Sequence, residues 1–249
     1  MKKNLLFVFA AALSLSSCVF TAKNSPASNT VESLSAQTDE KKAPETNSYS
    51  NDFYKSVSEI RANHKEGIDF RIKYMLRKSP VAVFAIHGGK LEKGTSRIAK
   101  EVAGKDYSFY LFEALQQNPH QLHITAANFD DPAAIEIAES SIFGLSMHVE
   151  KEKGDMICVG GGNPYAAKMM ADMLVSDGYP VEYPCKRLPG KSPKNIVNRP
   201  ELGGVQFEFT RSQIQKIVKD SKILKDFANK VRKTAEKYLN SAEAKSAIK

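Results

Sequence analysis

Two histidines and two glutamates lie at the ends of apolar segments of the sequence or within them. His87 follows the run VAVFAI, Glu92 comes five positions later, His148 follows IFGLSM, and Glu208 interrupts the apolar segment GVQFEF. Two histidines and one carboxylate are a common ligand set for catalytic zinc, with the fourth position left to water. A further carboxylate can take the proton of that water. The four residues are therefore candidates for a Zn2+ site in which Glu208 is the general base.

Each of these residues also has a structural alternative. A histidine at a strand end can be a hydrogen-bonded structural residue. Glu92 can be a first-turn charge favoured by a helix dipole, and Glu208 can pair with Arg211 or Arg199 at the surface. The spacing alone leaves the zinc site and these alternatives open.

The elements that would position these residues alternate between strands and helices. Strands are predicted at residues 69–76, 81–88, 107–115, 121–129, 142–150, 155–161 and 204–211. Helices are predicted at residues 94–104, capped by Thr95 or Ser96, at 131–141, capped by Asp131, and at 165–178. The alternation predicts an α/β fold, a three-layer sandwich around a central sheet. The early strands look hairpin-like, which favours a mixed sheet.

The N-terminal segment predicts export. Residues 1–17 have a basic start, an apolar stretch too short to span a bilayer and the box LSSC, typical of a lipoprotein signal peptide with Cys18 as the acylated residue. Residues 18–51 are rich in small polar residues and are expected to be a flexible tether. We expect a cell-envelope lipoprotein with a hydrolase domain at 52–211 and a basic amphipathic helical segment at 212–249.

Charge and cysteine content restrict the partners. The formal net charge is +8 at pH 7, much of it in the C-terminal segment. This is compatible with a polyanionic substrate or an anionic surface, whereas no nucleic-acid recognition motif is present. With Cys18 lipidated, Cys158 and Cys185 remain either as a disulfide or as two buried thiols.

Six blocks in one order resemble the poly-γ-glutamate hydrolase family of zinc enzymes with a carboxypeptidase-like fold. The blocks run from EGIDFRIKYMLRKSPVAVFAIHGGKLEKGTS through DYSFYLFEAL, LHITAANFDDP, LSMH and ICVGGGN to NIVNRPELGGVQFEFTR. The resemblance implies that His87, Glu92 and His148 bind Zn2+ and that Glu208 is the general base. This sequence departs from the family pattern at Val149, where a glycine is usual.

The same resemblance suggests substrate-binding residues. Each residue of a γ-glutamyl chain carries a free α-carboxylate, which Arg199 could bind in a bidentate pair with Asn198 donating beside it. Alternatively, Asn198 and Arg199 only brace the loop before the last strand. His123 is expected to line the pocket or to hydrogen-bond a metal ligand.

The expected function is zinc-dependent hydrolysis of γ-glutamyl amide bonds, with poly-γ-glutamate as the first candidate substrate. A second hypothesis is a lipid-anchored cell-wall peptidase acting on the γ-D-glutamyl bonds of peptidoglycan stem peptides. A third keeps the fold without catalysis, as a surface lipoprotein that binds an anionic polymer. Internal versus terminal cleavage, the membrane involved and the oligomeric state stay open.

Overall fold

A seven-stranded mixed sheet is the frame of residues 52–248, the part of the chain that the computed structural model describes. The strands lie in the order β1-β3-β2-β4-β7-β5-β6. Their bounds are β1 Phe70–Met75, β2 Val81–Gly89, β3 Ser108–Ala114, β4 Phe143–Glu150, β5 Ile157–Gly160, β6 Val181–Glu182 and β7 Gly204–Thr210. The predicted α/β fold with a mixed sheet is confirmed.

Four central strands run in the same direction. β3, β2, β4 and β7 are mutually parallel along the sheet, whereas β1 pairs antiparallel with β3, and β5 pairs antiparallel with β7. The predicted hairpin between the first two strands is wrong, because β1 and β2 both pair with β3 and not with each other. The carboxyl ends of the parallel strands share one edge, where open α/β sheets place their sites.

Helices cover both faces of the sheet. Their bounds are α1 Val57–Asn63, α2 Thr95–Ala103, α3 Pro132–Glu139, α4 Pro164–Ser176, α5 Arg211–Lys219, α6 Ser221–Leu239 and α7 Ala242–Ala247. One face packs against α2, α4, α5 and α6, and the other packs against α1 and α3. Strand β2 lies between the layers, and its side chains alternate between the two cores, which explains its unbroken apolar sequence.

Two local predictions are wrong. Residues 121–129 form no strand; they contain the end of the short 3-10 helix Pro119–Leu122 and the whole of a second, Ala126–Asn128. The backbone polar groups of this segment bond to side chains instead, since the Ile124 carbonyl lies 2.9 Å from His87 Nε2 and the Thr125 N–H donates to Asp52. Helix α2 begins after Gly94 without a side-chain cap, because the Thr95 hydroxyl donates to the Glu92 carbonyl.

The basic C-terminal segment is divided into α5, α6 and α7 and packs into the same core as the sheet. Asp220 ends α5 and caps α6 by accepting from the Lys222 and Ile223 N–H groups. The apolar sides of these helices, including Ile217 and Phe227, are buried, so their lysines form the outer face. Within residues 52–248, none of the helices is long and apolar enough to cross a membrane. The predicted signal peptide, Cys18 and the tether lie outside the described residues.

Candidate functional site

The turn after β2 brings Glu92 back beside His87. The two glycines after His87 are required because a side chain or the backbone approaches each of them closely. A Cβ on Gly88 would lie 1.9 Å from Ser96 Oγ, and Gly89 has a φ of +71° with Ala114 O only 2.3 Å from a Cβ position. The turn closes when the Glu92 N–H donates to the His87 carbonyl at 2.8 Å. His87 itself lies in a shift of the β2–β3 register between Ala85 and Gly88, an irregularity that can redirect a side chain at a strand end.

His148 and Glu208 face the same site from the two neighbouring strands. They are direct partners in the parallel register of β4 and β7, so both side chains lie on one face of the sheet. The face is the one covered by α1 and α3, because the residues on either side of them, such as Met147 and Phe207, belong to the opposite core. His87, Glu92, His148 and Glu208 are all buried at this edge.

Three side chains converge within hydrogen-bonding distance of one another. His87 Nδ1 lies 2.9 Å from Glu92 Oε1 and 3.2 Å from His148 Nδ1, and His148 Nδ1 lies 3.5 Å from Glu92 Oε2. His87 Nε2 faces the carbonyl of Ile124 and must donate to it, which leaves Nδ1 of the neutral ring as a lone pair. A lone pair facing a carboxylate is unfavourable, so the three groups need a positive charge among them, either a second proton on His87 or a bound cation. The arrangement therefore suits a bound cation.

The pKa shifts of His87, His148 and Glu92 arise from burial and from the charges of these three groups on one another. Burial would lower the pKa of His87, but the Glu92 carboxylate outweighs it and raises that pKa. Burial also lowers the pKa of His148, against the attraction of Glu92. Although burial opposes its ionisation, Glu92 has a pKa held well below the usual range by His87 and His148. The Glu92 carboxylate is thus ionised, and a metal ion bound by His87 would displace the proton that Glu92 favours on that ring.

His123 lies against the same group and offers an alternative third ligand. Its ring is 4.2 Å from that of His87, centroid to centroid. Ligand atoms of His87, Glu92 and His123 lie within 4.8 Å of one another. Asp52 Oδ1 bonds His123 Nδ1 at 2.7 Å, which fixes the ring orientation. The shorter mutual distances of the ligand atoms favour His148, through Nδ1, as the third ligand.

Glu208 is a buried acid beside this group. Only 5% of its surface is exposed, and burial, with the nearby charges of Glu92 and Glu150, raises its pKa well above the ordinary value. Gln206 Nε2 donates to Glu208 Oε1 at 2.8 Å. A carboxyl group with these neighbours holds its proton more tightly than an ordinary glutamate, which suits a group that accepts and returns a proton.

A cavity of about 530 Å³ opens over these residues. Its walls come from the 3-10 segment at Thr125–Ala127, from the end of β4 and from residues 187–192. Three cationic side chains line it, those of Lys151, Arg187 and Lys191. Arg187 forms a bidentate pair with the buried carboxylate of Glu150 and also pairs with Glu182.

Arg199 and Asn198 do not line this cavity. Asn198 ends the 3-10 helix Ile196–Asn198 and Arg199 follows it, near the amino ends of β4 and β7, and Arg199 pairs with Glu139 at 3.4 Å. Asn198 accepts from the Gly162 N–H and donates to the carbonyls of Gly190 and Ser192. The geometry thus gives no support to carboxylate binding by Arg199, and Asn198 braces the loop that forms the cavity wall.

A disulfide ties the same loop to the sheet. Cys158 and Cys185 are bonded, which resolves the alternative left open by the sequence. Cys158 is the antiparallel partner of Glu208, and Cys185 lies two positions before residues 187–192 of the cavity wall. The crosslink therefore connects the strand beside the candidate base to the cationic loop.

The sequence analysis missed several polar residues of the site. Asp52 had no motif around it and reaches His123 from 71 positions away. Arg187 and Lys191 lie in the segment CKRLPGKS, whose basic residues with proline and glycine were an available signal for a binding loop. Asn195 and Gln206 were inside recognised motifs but were given no role.

Comparisons with known proteins identify the family of the chain. A family model for poly-gamma-glutamate hydrolase matches residues 54–241. UPF0714 protein YndL of Bacillus subtilis (strain 168) is 34% identical over 174 residues, covering 67% of each chain. UPF0714 protein YmaC of the same organism is 33% identical over 167 residues, covering 65% of this chain and 70% of YmaC.

Solved structures are similar over most of the described chain. A bacteriophage poly-gamma-glutamate hydrolase matches with a TM-score of 0.71 and 25% identity, covering 76% of this chain and 98% of that chain. The zinc-free apo form of YndL matches with a TM-score of 0.69 and 28% identity, covering 76% of this chain and 99% of that chain. With the family model matching more than half of its residues, the chain belongs to the poly-gamma-glutamate hydrolase family.

Proposed function

We propose that this protein is a zinc-dependent hydrolase that cleaves amide bonds formed through the γ-carboxyl of glutamate, with poly-γ-glutamate as its substrate. The observation that carries the proposal is the convergence of His87, Glu92 and His148 beside the buried Glu208. Family membership supports the hydrolase activity, and the relative YndL has a form described as zinc-free.

The donor set fits zinc. Two imidazole nitrogens and a carboxylate are typical of catalytic sites, and a tetrahedral ion with bonds of about 2.0–2.1 Å places its ligand atoms about 3.3 Å apart. The two histidine Nδ1 atoms are 3.2 Å apart, and the Glu92 carboxylate lies 2.9 Å from His87 Nδ1 through Oε1 and 3.5 Å from His148 Nδ1 through Oε2. Zinc bound there would polarise the carbonyl group under attack and lower the pKa of a water molecule.

The protein's own residues supply the proton transfer and the orientation of the ligands. In the proposal, Glu208 accepts the proton of the attacking water and passes it to the leaving nitrogen, and the Gln206 amide keeps one of its oxygens engaged. The Val149 N–H donates to Glu92 Oε2 at 3.0 Å and holds that carboxylate in place. Asp52 holds the ring of His123 against the ring of His87, so Asp52 influences this proposed metal ligand through His123.

The cationic wall suits a chain of carboxylates. Lys151, Arg187 and Lys191 line the cavity beside the proposed metal ligands. Arg187 is 39% exposed although it pairs with Glu150, so its guanidinium can also meet a carboxylate in the cavity. These three residues take the substrate-binding role that the resemblance assigned to Arg199.

The proposal keeps the exported, lipid-anchored location predicted from residues 1–18. That part rests on the sequence alone, through the apolar stretch and the LSSC box ending at Cys18. An anchor there would leave residues 52–248 outside the bilayer, in reach of polymers in the cell envelope.

A polymer assay tests the proposal. The purified protein with added zinc is incubated with poly-γ-glutamate, with poly-α-glutamate and with peptidoglycan fragments, and chain length is followed by size-exclusion chromatography. We expect shortening of the γ-linked polymer alone, loss of activity with a chelator, and its return with zinc. Glu208→Gln should be inactive, whereas Glu136→Gln, on the exposed side of α3, is the matched control. Cleavage of peptidoglycan fragments with an intact polymer would favour the cell-wall peptidase, and no cleavage of any substrate would favour a binding protein.

A further inference from the structure

A buried chain of two side-chain amides leads to Glu208. Asn195 Nδ2 donates to Gln206 Oε1 at 2.9 Å, and Gln206 Nε2 donates to Glu208 Oε1 at 2.8 Å. Gln206 and Glu208 are two positions apart on β7 and so share a face of the sheet. Asn195 and Gln206 are 4% and 5% exposed, so water cannot readily replace these hydrogen bonds.

The direction of both amides follows from one backbone group. The Val197 N–H can only donate, and it points at Asn195 Oδ1 at 3.2 Å. The amino group of Asn195 must then face Gln206, which has to present its oxygen. The amino group of Gln206 is consequently directed at Glu208.

The cavity loop agrees with these orientations. The carbonyl of Gly190 faces the amino group of Asn195 at 3.5 Å, and the carbonyl of Leu188 faces that of Gln206 at 3.5 Å. Gly190 packs directly on the Gln206 amide, since a Cβ there would lie 2.8 Å from it. The loop thus closes over the amides and leaves them one arrangement.

We infer that Asn195 and Gln206 are positioning residues for Glu208, with Asn195 acting only through Gln206. The inference rests on the proposed function, in which Glu208 moves the proton. If the Gln206 amide were turned over, its oxygen would face the carboxylate at hydrogen-bonding distance in a buried site. Two oxygens cannot share that position, so Glu208 would move away from the attacking water.

Kinetics of isosteric variants test the inference. Asn195→Asp replaces the donor that faces Gln206 by an acceptor, and Gln206→Met removes the donor to Glu208 with little change in volume. Each is expected to lower kcat about 10- to 100-fold while KM changes less than about threefold, because neither residue is proposed to bind the substrate. The double variant should be no slower than Gln206→Met alone, since Asn195 acts through Gln206. Asn229→Asp, on the exposed face of α6, is the control.

A second measurement does not depend on activity. In 15N-labelled metal-free protein, the side-chain amide protons of Gln206 should exchange slowly with solvent, and their resonances should move in Asn195→Asp. Rapid exchange in the unmutated protein would overturn the inference, as would a kcat within twofold of wild type in both single variants. If the unmutated protein cleaves no substrate, the proposed function fails while slow amide exchange still supports the arrangement. If a variant fails to fold, the exchange rate of the Gln206 amide protons in the unmutated protein decides whether the inference stands.

Discussion

Breaking the Cys158–Cys185 disulfide should lower the free energy of unfolding. The size of the loss depends on the number of residues between the two cysteines. The two residues are 27 positions apart, and closing a loop of that length lowers the entropy of the unfolded chain by an amount equivalent to about 3.5 kcal/mol at 25 °C. For a domain of roughly 200 residues, this corresponds to a fall in Tm of roughly 7 to 14 °C.

Equilibrium unfolding in guanidinium chloride, with and without reductant, measures this change. The variant Cys158→Ala/Cys185→Ala should match the reduced protein and should not respond to reductant. An unfolding free energy that differs by less than about 0.5 kcal/mol between oxidised and fully reduced protein would refute the reasoning. It would mean that β5 and β6 hold the loop without the crosslink.

The remaining predictions concern the surroundings of the site. Asp52→Asn should lower kcat/KM about 10- to 100-fold by loosening His123; unchanged steady-state kinetics would contradict this. Arg187→Met should destabilise the protein by about 1–2 kcal/mol in thermal unfolding, because the buried Glu150 carboxylate loses its partner; the loss stays small because solvent screens the partly exposed Arg187. Arg187→Met/Glu150→Gln should recover most of the lost stability. The fold raises the pKa of Glu208. In the metal-free protein, the contribution of Glu208 to stability is therefore complete below its unfolded pKa of about 4.3. This contribution is lost as pH rises through the folded pKa. Glu208→Gln should flatten the fall in unfolding free energy as pH rises above about 4.3, and an unchanged slope would refute this assignment.

The parts of the site that are local in sequence were predictable. His87 and Glu92 are joined by one short turn, so the glycines and the strand end were enough to place them together. His148 and Glu208 depend on the order of strands, which periodicity does not reveal. Both could still be expected at one edge, because parallel strands in an α/β sheet end together.

The parts that local sequence could not place depend on contacts over long distances. Arg199 looked like a carboxylate-binding residue, but it precedes β7, so it lies at the amino end of the strand while Glu208 lies towards the carboxyl end. The segment containing His123 looked like a strand because of its apolar residues. Its backbone instead bonds to His87 and to Asp52, and nothing in the local pattern shows such partners.

Zinc titration of the metal-free protein tests the central claim most directly. Isothermal calorimetry on the unmutated chain should show one zinc ion per chain. His87→Ala, Glu92→Gln and His148→Ala should each abolish tight binding, while His123→Ala should retain it. Tight binding that survives His148→Ala but is lost in His123→Ala would contradict the proposed ligand set, and no zinc binding by the unmutated protein would contradict the account of the site as a metal centre.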